Sequence, residues 1–167
     1  MKLLKLNGIE LPIHVGVASQ RYEPIGGSVK LRMHSGKGVK QTHFSKLAIT
    51  ISGSGWMPVG LAGLDVGVPV DLWCFQPRSI LTTALVVTIP GAIRPDDAPW
   101  VLAYVAGEWV PVVSSTASGV VTITQHPDAI QYAVYWLPRL TVLLDAIPED
   151  LDTTAASYSW QITGEEA

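Results

Sequence analysis

The sequence has too few cysteines, and its apolar runs are too short, for several classes of protein. Cys74 is its one cysteine, so neither an intrachain disulfide nor a cysteine-based zinc cluster can form. No apolar run reaches the length that spans a bilayer. Asn7, Glu10 and Pro12 interrupt the apolar segment that a signal peptide would need. We therefore expect a soluble protein without membrane contact, made in a reducing compartment, with Cys74 buried as a small hydrophobic residue.

Charged residues are also scarce. They make up 15% of the chain, against roughly 25% in typical soluble domains, while hydrophobic residues make up 48%. A chain short of charge has less surface suited to water alone, which favours an obligate assembly. The alternative is a well-packed monomeric β-protein whose exposed faces are rich in Ser and Thr.

The charges that are present divide by sign along the chain. Residues 1–50 hold eight Lys/Arg and two acids, a net charge of +6, whereas residues 51–167 hold three Lys/Arg and twelve acids, a net charge of −9. Such asymmetry is typical of a nucleic-acid-binding arm or of complementary protein faces. The first fifty residues contain only Tyr22 and Phe44 as aromatics that could stack on bases. The pattern favours contacts between protein copies, with nucleic acid as the weaker alternative.

Residue patterns that carry catalysis or bind metals are missing from the sequence. The four histidines form no pair at metal-ligand spacing. Gly36-Lys37 lacks the rest of a phosphate-binding loop, and no helix pattern follows Gly53-Ser54-Gly55 to complete a dinucleotide site. The carboxylate pairs Asp96-Asp97 and Glu149-Asp150 lie beside prolines, where we expect solvated loops. The sequence thus predicts no catalytic residue, no cofactor site and no metal site.

Alternation of apolar and polar residues predicts an all-β protein with about ten short strands. Turn signals predict three hairpins, which pair residues 2–6 with 9–15, 28–33 with 40–44, and 100–106 with 108–113. The other predicted strands are residues 46–52, 68–75, 80–89, 120–124, 129–137, 139–144 and 157–163. Loops are predicted at residues 18–27, 90–99 and 148–156, and a frayed end at 164–167. Many short strands with Gly and Pro turns are typical of a β-sandwich or barrel, here as one domain over residues 1–167.

A long connector at residues 53–67 is unusual because it is both glycine-rich and apolar. Exposed apolar patches mark contact sites, so this connector either folds back over its own sheet or packs on another protein. Tryptophan is enriched at interface hot spots, and Trp56 lies in the connector rather than in a predicted strand. We therefore predict a subunit contact formed by four connector residues: Trp56, Met57, Leu61 and Leu64.

The other five tryptophans lie in predicted strands, where aromatic residues usually fill the core. They are Trp73, Trp100, Trp109, Trp136 and Trp160. If some of them formed an exposed row, that row could bind sugar. A carbohydrate-binding β-sandwich is therefore the alternative function; an enzyme is a more distant third, because nothing in the sequence names a substrate.

Several segments resemble small tail proteins of bacteriophages with long non-contractile tails, in particular the distal-tail or tail-tip type. The segments are Gly53-Ser54-Gly55-Trp56-Met57-Pro58, Gly60-Leu61 with Gly63-Leu64-Asp65, Pro77-Arg78-Ser79, Tyr135-Trp136-Leu137-Pro138-Arg139 and Tyr158-Ser159-Trp160. The resemblance covers about the C-terminal two-thirds of the chain.

This resemblance implies a tail-tube-like β-sandwich that closes into a ring, often sixfold, with long loops or arms that clamp neighbouring subunits. It implies contacts with other tail proteins of the tube and hub, no enzyme activity, no membrane partner and no sequence-specific nucleic acid. It also implies a place in the virion tail, after assembly in the host cytoplasm.

Overall fold

The computed structural model describes residues 2–16 and 18–167. Within that part of the chain, eighteen short strands and one turn of 3-10 helix (Ile13–Val15) form, and no α-helix is present. The strands pair antiparallel in several sheets, so the predicted all-β class is confirmed. In chain order the strands are β1 (Lys5–Leu6), β2 (Ile9–Glu10), β3 (Ser19–Ile25), β4 (Ser28–Arg32), β5 (Gly38–Thr42), β6 (Lys46–Gly55), β7 (Val70–Trp73), β8 (Arg78–Thr82), β9 (Val86–Thr88), β10 (Ala92–Ile93), β11 (Trp100–Val105), β12 (Glu108–Val112), β13 (Ser114–Ala117), β14 (Val120–Ile123), β15 (Gln131–Trp136), β16 (Pro138–Leu144), β17 (Glu149–Asp152) and β18 (Ser157–Glu166).

The chain divides into two compact units, each made of two separate segments. Unit 1 comprises Met1–Glu10 and Asp71–Leu140, and unit 2 comprises Leu11–Val70 and Thr141–Ala167. Each unit has its own strand pairs and its own buried apolar residues.

Unit 1 is a small β-sandwich. A four-stranded sheet in the order β12-β11-β15-β8 and a three-stranded sheet in the order β13-β14-β9 share one buried apolar cluster. Val101, Val134 and Trp136 come from the first sheet, and Val87 and Val121 from the second. Alternate residues of a strand face opposite sides, so each sheet gives one face to this cluster and the other face to its surroundings.

Unit 2 is organised around β18. This strand pairs with β6 on one edge, and β6 pairs in turn with β3. Along the other edge of β18 lie β17 and the end of β16. Ile49, Ile51, Trp160 and Ile162 are buried on one face of these strands, whereas the opposite face is rich in Ser and Thr.

The predicted hairpins are confirmed; five of their six strands are shorter than predicted, and β5 is shifted to Gly38–Thr42. Asn7 and Gly8 both take positive φ, as the tightest hairpin turn requires, and join β1 to β2. However, β2 ends at Glu10, because Pro12 has no N–H to continue a ladder and a 3-10 turn follows it. The predicted strand at residues 80–89 is two strands, because Ala84 N donates a hydrogen bond to the Thr82 hydroxyl in a turn.

Two predicted loops and the predicted frayed end are wrong. Residues 18–27 contain β3, which tolerates Pro24 because it is an edge strand; among the described residues it pairs with β6 alone. Residues 148–156 contain β17, another edge strand, whose acidic side chains are all exposed. Residues 164–166 belong to β18 and pair with β16, and Gly164 and Glu165 also pair with β6.

Candidate assembly surfaces

The hairpin of β4 and β5, residues 28–42, projects from the end of the β3–β6 strand pair; we call it the arm. The chain leaves β3 at Ile25, passes through the arm and re-enters the sheet at Lys46. Every residue of β4 and β5 is exposed, and within the described residues these two strands pair only with each other. The predicted hairpin is therefore present, and within the described residues both of its faces are exposed.

The arm has one apolar and one basic face. Leu31 lies opposite Val39, and Val29 lies two residues away on the same face; these side chains are 50%, 36% and 47% exposed. Lys30 lies directly opposite Lys40 on the other face. Like charges placed opposite one another destabilise a strand pair. An isolated two-stranded hairpin is already marginal in water, so the arm lacks the packing that would stabilise it alone.

Two glycines form the root of the arm. A side chain on Gly26 would lie 2.5 Å from the carbonyl oxygen of Phe44, and one on Gly27 would lie 2.9 Å from the Phe44 ring. His43 N donates a hydrogen bond to the Gly27 carbonyl at 2.7 Å. The two chain segments therefore cross closely at this point. A Cβ at Gly26 would meet backbone and does not fit, whereas one at Gly27 would require the Phe44 ring to move.

Strand β17 is the acidic counterpart of the arm. Its sequence is Glu149-Asp150-Leu151-Asp152, and all four residues are exposed, with Leu151 at 48%. It pairs with β18 along one edge, and its other edge has no strand partner among the described residues. The pairing of Asp150 with Ser159 places both aspartates of the strand on the Ser/Thr-rich face. The strand thus offers an open backbone edge together with exposed carboxylates, of which Asp152 already accepts hydrogen bonds through Oδ1 from the backbone N–H groups of Thr154 and Ala155.

The charges of the arm and of β17 are unpaired within the chain. In residues 2–16 and 18–167 no ion pair includes Lys30, Arg32 or Lys40, and none includes a carboxylate of β17. Arg32 donates only to the carbonyl of Gly36 in the arm's own turn, at 3.2 Å. Both surfaces are therefore open to an outside partner.

The connector is partly folded back and partly exposed. Strand β6 continues to Gly55, so the connector begins at Trp56. Val59 and Leu61 are buried in this chain, at 6% and 4% exposure, and Leu64 is half-buried. Trp56 is 66% exposed, with its ring edge against His14 at 5.2 Å, and Met57 is 38% exposed. Of the four predicted contact residues, Trp56 and Met57 face outward, whereas the Leu61 side chain is covered by its own chain.

The Gly53-Ser54-Gly55 segment has a packing role that the sequence did not indicate. The indole of Trp160 lies on Gly53, where a Cβ would be 2.5 Å from the ring. Its Nε1 donates a hydrogen bond to the Val15 carbonyl at 2.8 Å. A Cβ on Gly55 would lie 2.4 Å from the backbone of Val15. The glycines let the 3-10 turn and the indole pack directly on β6.

Arg94 is buried in unit 1, which corrects the prediction that residues 90–99 form an exposed loop. It is 1% exposed and donates hydrogen bonds at 2.9 Å to the carbonyls of Leu3 and Cys74. It also binds both carboxylate oxygens of Asp96 at 2.9 Å. These hydrogen bonds, with the charges of Arg94 and of two lysines, lower the pKa of Asp96 from 3.8 to about 2. The cluster joins three chain segments and has the features of a structural site.

Trp73 lies among three cations in the same unit. The charged groups of Lys5, Arg94 and Arg139 lie 5.2, 5.6 and 5.6 Å from its ring. Its Nε1 donates to Asp71, which also binds Arg139 at 2.8 and 3.1 Å. Burial raises the pKa of Asp71, but the hydrogen bonds from Arg139 and Trp73 outweigh it, so this pKa is lowered. The Arg139 pair is exposed, in contrast to Arg94.

Four aromatic side chains lie on the outer face of the four-stranded sheet of unit 1. Trp100 stacks on Tyr135 with ring centres 5.6 Å apart, and Tyr104 contacts Trp109 at 5.0 Å. Trp100 and Trp109 are 38% and 40% exposed. By contrast, Trp136 and Trp160 are buried, as predicted. The prediction that Trp100 and Trp109 fill the core is wrong, because both lie on the outer face of the sheet.

The described residues contain few other candidate sites. Among them, no three His, Cys, Asp or Glu side chains lie close enough to hold a metal ion. Cys74 is buried, as predicted. None of the helical structure in that part of the chain has the length and apolar character to cross a membrane. No protein-family model matches the chain, and no curated protein is significantly similar to it.

Proposed function

We propose that the protein is a structural subunit of a phage tail. It belongs to a ring at the distal tail or tail tip, acts by assembling around the tail channel, and catalyses no reaction. The observation that carries the proposal is the arm, a hairpin that is exposed on both faces. Its apolar row is the apolar face described above, and its basic row is the basic face, whose charges form no ion pair among the described residues.

The energetics of the arm favour a second protein as its partner. Full burial of a Val or Leu side chain contributes about 1.5–3 kcal/mol, and three such side chains on the arm are 36%, 47% and 50% exposed, so a part of that contribution is still to be gained at each. The basic row gives no stability to an isolated hairpin, because Lys30 faces Lys40. A partner that covers the apolar row and neutralises the basic row would stabilise the arm on both counts.

The outward part of the connector supplies a second contact. Trp56 and Met57 are exposed, while Val59 and Leu61 fix the connector to its own chain. A rigidly held tryptophan at the surface is a common interface anchor. Contacts between different surfaces of identical subunits generate rings when the rotation closes. We propose a homo-oligomeric ring, a hexamer by the tail-protein resemblance, between the tube and hub proteins of the tail.

Removing the apolar character of the arm tests this proposal. We expect native mass spectrometry and negative-stain images to show wild-type rings, and the double variant Leu31→Gln with Val39→Thr to stay monomeric with an unchanged circular-dichroism spectrum. The expected loss of affinity is about tenfold to a hundredfold, from about 1.5–3 kcal/mol of lost burial.

Leu143→Gln is the matched control, because Leu143 is 49% exposed and lies outside the arm. It should assemble like the wild type. A wild-type protein that remains monomeric at high concentration would contradict the proposed function. Normal assembly of the double variant would show that the apolar face of the arm does not form the subunit contact.

A second candidate function is carbohydrate binding, which the exposed aromatic face of unit 1 favours. Aromatic rings stack on the apolar faces of sugars, and Trp100 and Trp109 present such rings on one sheet face. We expect a glycan titration of the monomer, followed by tryptophan fluorescence, to show no saturable binding. Saturable binding that Trp100→Ala abolishes and Trp56→Ala leaves intact would favour this alternative.

A further inference from the structure

We infer that strand β4 of one copy adds to the free edge of strand β17 of a second copy. This inference rests on the proposed function, because it requires that copies of the chain assemble. It names the two surfaces that meet, and the contact would be a backbone ladder reinforced by charge pairs.

The first argument is the matching sequence pattern of the two strands. Strand β4 contains Lys30-Leu31-Arg32, and strand β17 contains Asp150-Leu151-Asp152. In each strand the leucine faces one side, and the two charged residues face the other. If the strands pair antiparallel with Leu31 opposite Leu151, Lys30 lies opposite Asp152 and Arg32 opposite Asp150. Every side-chain pair is then favourable: one apolar pair and two of opposite charge.

The second argument is that both strands have a free edge. Strand β4 is bonded to β5 on one side, and β17 is bonded to β18 on one side; neither has another strand partner in the described parts of the chain. Exposed edges present unpaired N–H and C=O groups and readily accept another strand. One addition would therefore satisfy backbone groups on both edges.

The third argument concerns the identity of the partner. The arm needs a surface that is acidic, has an exposed apolar side chain at its centre and has an open strand edge. Strand β17 combines all three features, with Leu151 48% exposed between two aspartates. Since each copy carries one β4 and one β17, the contact joins two different surfaces of identical subunits, the kind of contact from which rings are built.

Charge reversal on each strand tests the inference. The first variant carries Lys30→Glu with Arg32→Glu, and the second carries Asp150→Lys with Asp152→Lys. Alone, each variant places like charges opposite one another and should assemble at least about a hundredfold more weakly. In a 1:1 mixture, the acidic arm of the first variant meets the basic β17 of the second, and the basic arm of the second meets the acidic β17 of the first. We expect native mass spectrometry to show that the mixture assembles again, with equal numbers of both variants.

A cysteine pair checks the register of the two strands. Leu31→Cys with Leu151→Cys should form disulfide-linked oligomers under mild oxidation, visible on a non-reducing gel. Leu31→Cys with Leu143→Cys is the matched control and should not crosslink efficiently. Cys74 is buried and does not compete.

The outcomes separate the inference from the proposed function. Suppose that wild-type rings form, but that both charge-reversed variants assemble normally or that the mixture does not assemble. Then β4 does not dock on β17, while the proposed ring is still supported. Rescue of the first variant by an unrelated basic protein and not by the second variant would also overturn the inference. If the wild-type chain forms no oligomer at any concentration, the proposed function fails and the inference fails with it.

Discussion

Replacement of Arg94 by Met is expected to lower the free energy of unfolding by about 3 kcal/mol. The guanidinium is buried and donates to two backbone carbonyls as well as to Asp96. Methionine is of similar length but donates nothing, so the buried carbonyl of Cys74 and the partly buried carbonyl of Leu3 would both lose this donor. Each unsatisfied buried polar group costs about 1–3 kcal/mol. Denaturant unfolding, followed by tryptophan fluorescence and circular dichroism, measures the loss.

Arg139→Met is the matched control. Arg139 also binds an aspartate through two nitrogens and also lies over Trp73, but its side chain is 46% exposed. Exposed ion pairs contribute about 0–1 kcal/mol, so this variant should lose little stability. Equal losses for the two variants would show that the burial of Arg94 does not determine its contribution.

The Arg94 variant should also change the response of stability to acid. The pKa of Asp96 is about 2 in the folded chain, below its ordinary value of 3.8. Ionised Asp96 therefore contributes stability that is fully present above pH 3.8 and is lost as the pH falls through about 2. Without Arg94, this pKa should return toward its ordinary value, and the part of the acid dependence between pH 3.8 and about 2 that comes from Asp96 should shrink.

Gly55→Ala is expected to destabilise the protein by about 1–3 kcal/mol, a typical cost of overpacking. The added methyl group would lie 2.4–2.5 Å from backbone atoms of His14, Val15 and Gly16. Backbone atoms cannot move aside as the end of a flexible side chain can. The 3-10 turn would therefore separate from β6, and the Trp160 hydrogen bond to Val15 would weaken with it. A downward shift of the denaturation midpoint measures the effect.

Gly63→Ala is the control for the glycine prediction. Nothing lies within 4 Å of the position that its Cβ would occupy, and its φ is not in the left-handed region. Alanine restricts the unfolded chain, so this variant should be unchanged or more stable by up to about 1 kcal/mol. A Gly55→Ala variant as stable as Gly63→Ala would mean that the contact between the turn and β6 is not tight in solution.

The fold class and the hairpins could be predicted from the sequence because they depend on local patterns. Asn7-Gly8 determines its turn through the φ angles that these residues tolerate, and period-two alternation marks strands wherever one face is buried. The same logic fails for β3 and β17. Their side chains are largely polar or exposed, so neither strand shows the alternation that burial of one face produces. The partner of β3 is β6, which lies beyond the whole arm in the sequence, whereas β17 pairs with its neighbour β18 across residues 153–156.

The candidate site could be predicted only in part, for related reasons. Trp56 and Met57 are exposed, in keeping with the predicted contact, whereas Leu61 is buried because the connector folds back, which no local pattern reveals. Arg94 stands among proline and aspartate residues and has the appearance of a solvated loop residue. In the fold it donates to two carbonyls from segments that are distant in the sequence, so its burial cannot be read from the residues around it.

The order of the strands along the chain has a consequence for synthesis on the ribosome. Strand β17 is translated before β18, yet β18 is the strand that holds it and that also covers the edge of β6. A nascent chain that has emerged only as far as residue 156 therefore has an arm but no ordered acidic strand. Chains whose translation stops early would lack one half of the proposed contact. In that way the fold itself would keep an incomplete polypeptide from accepting the next copy and closing the proposed ring.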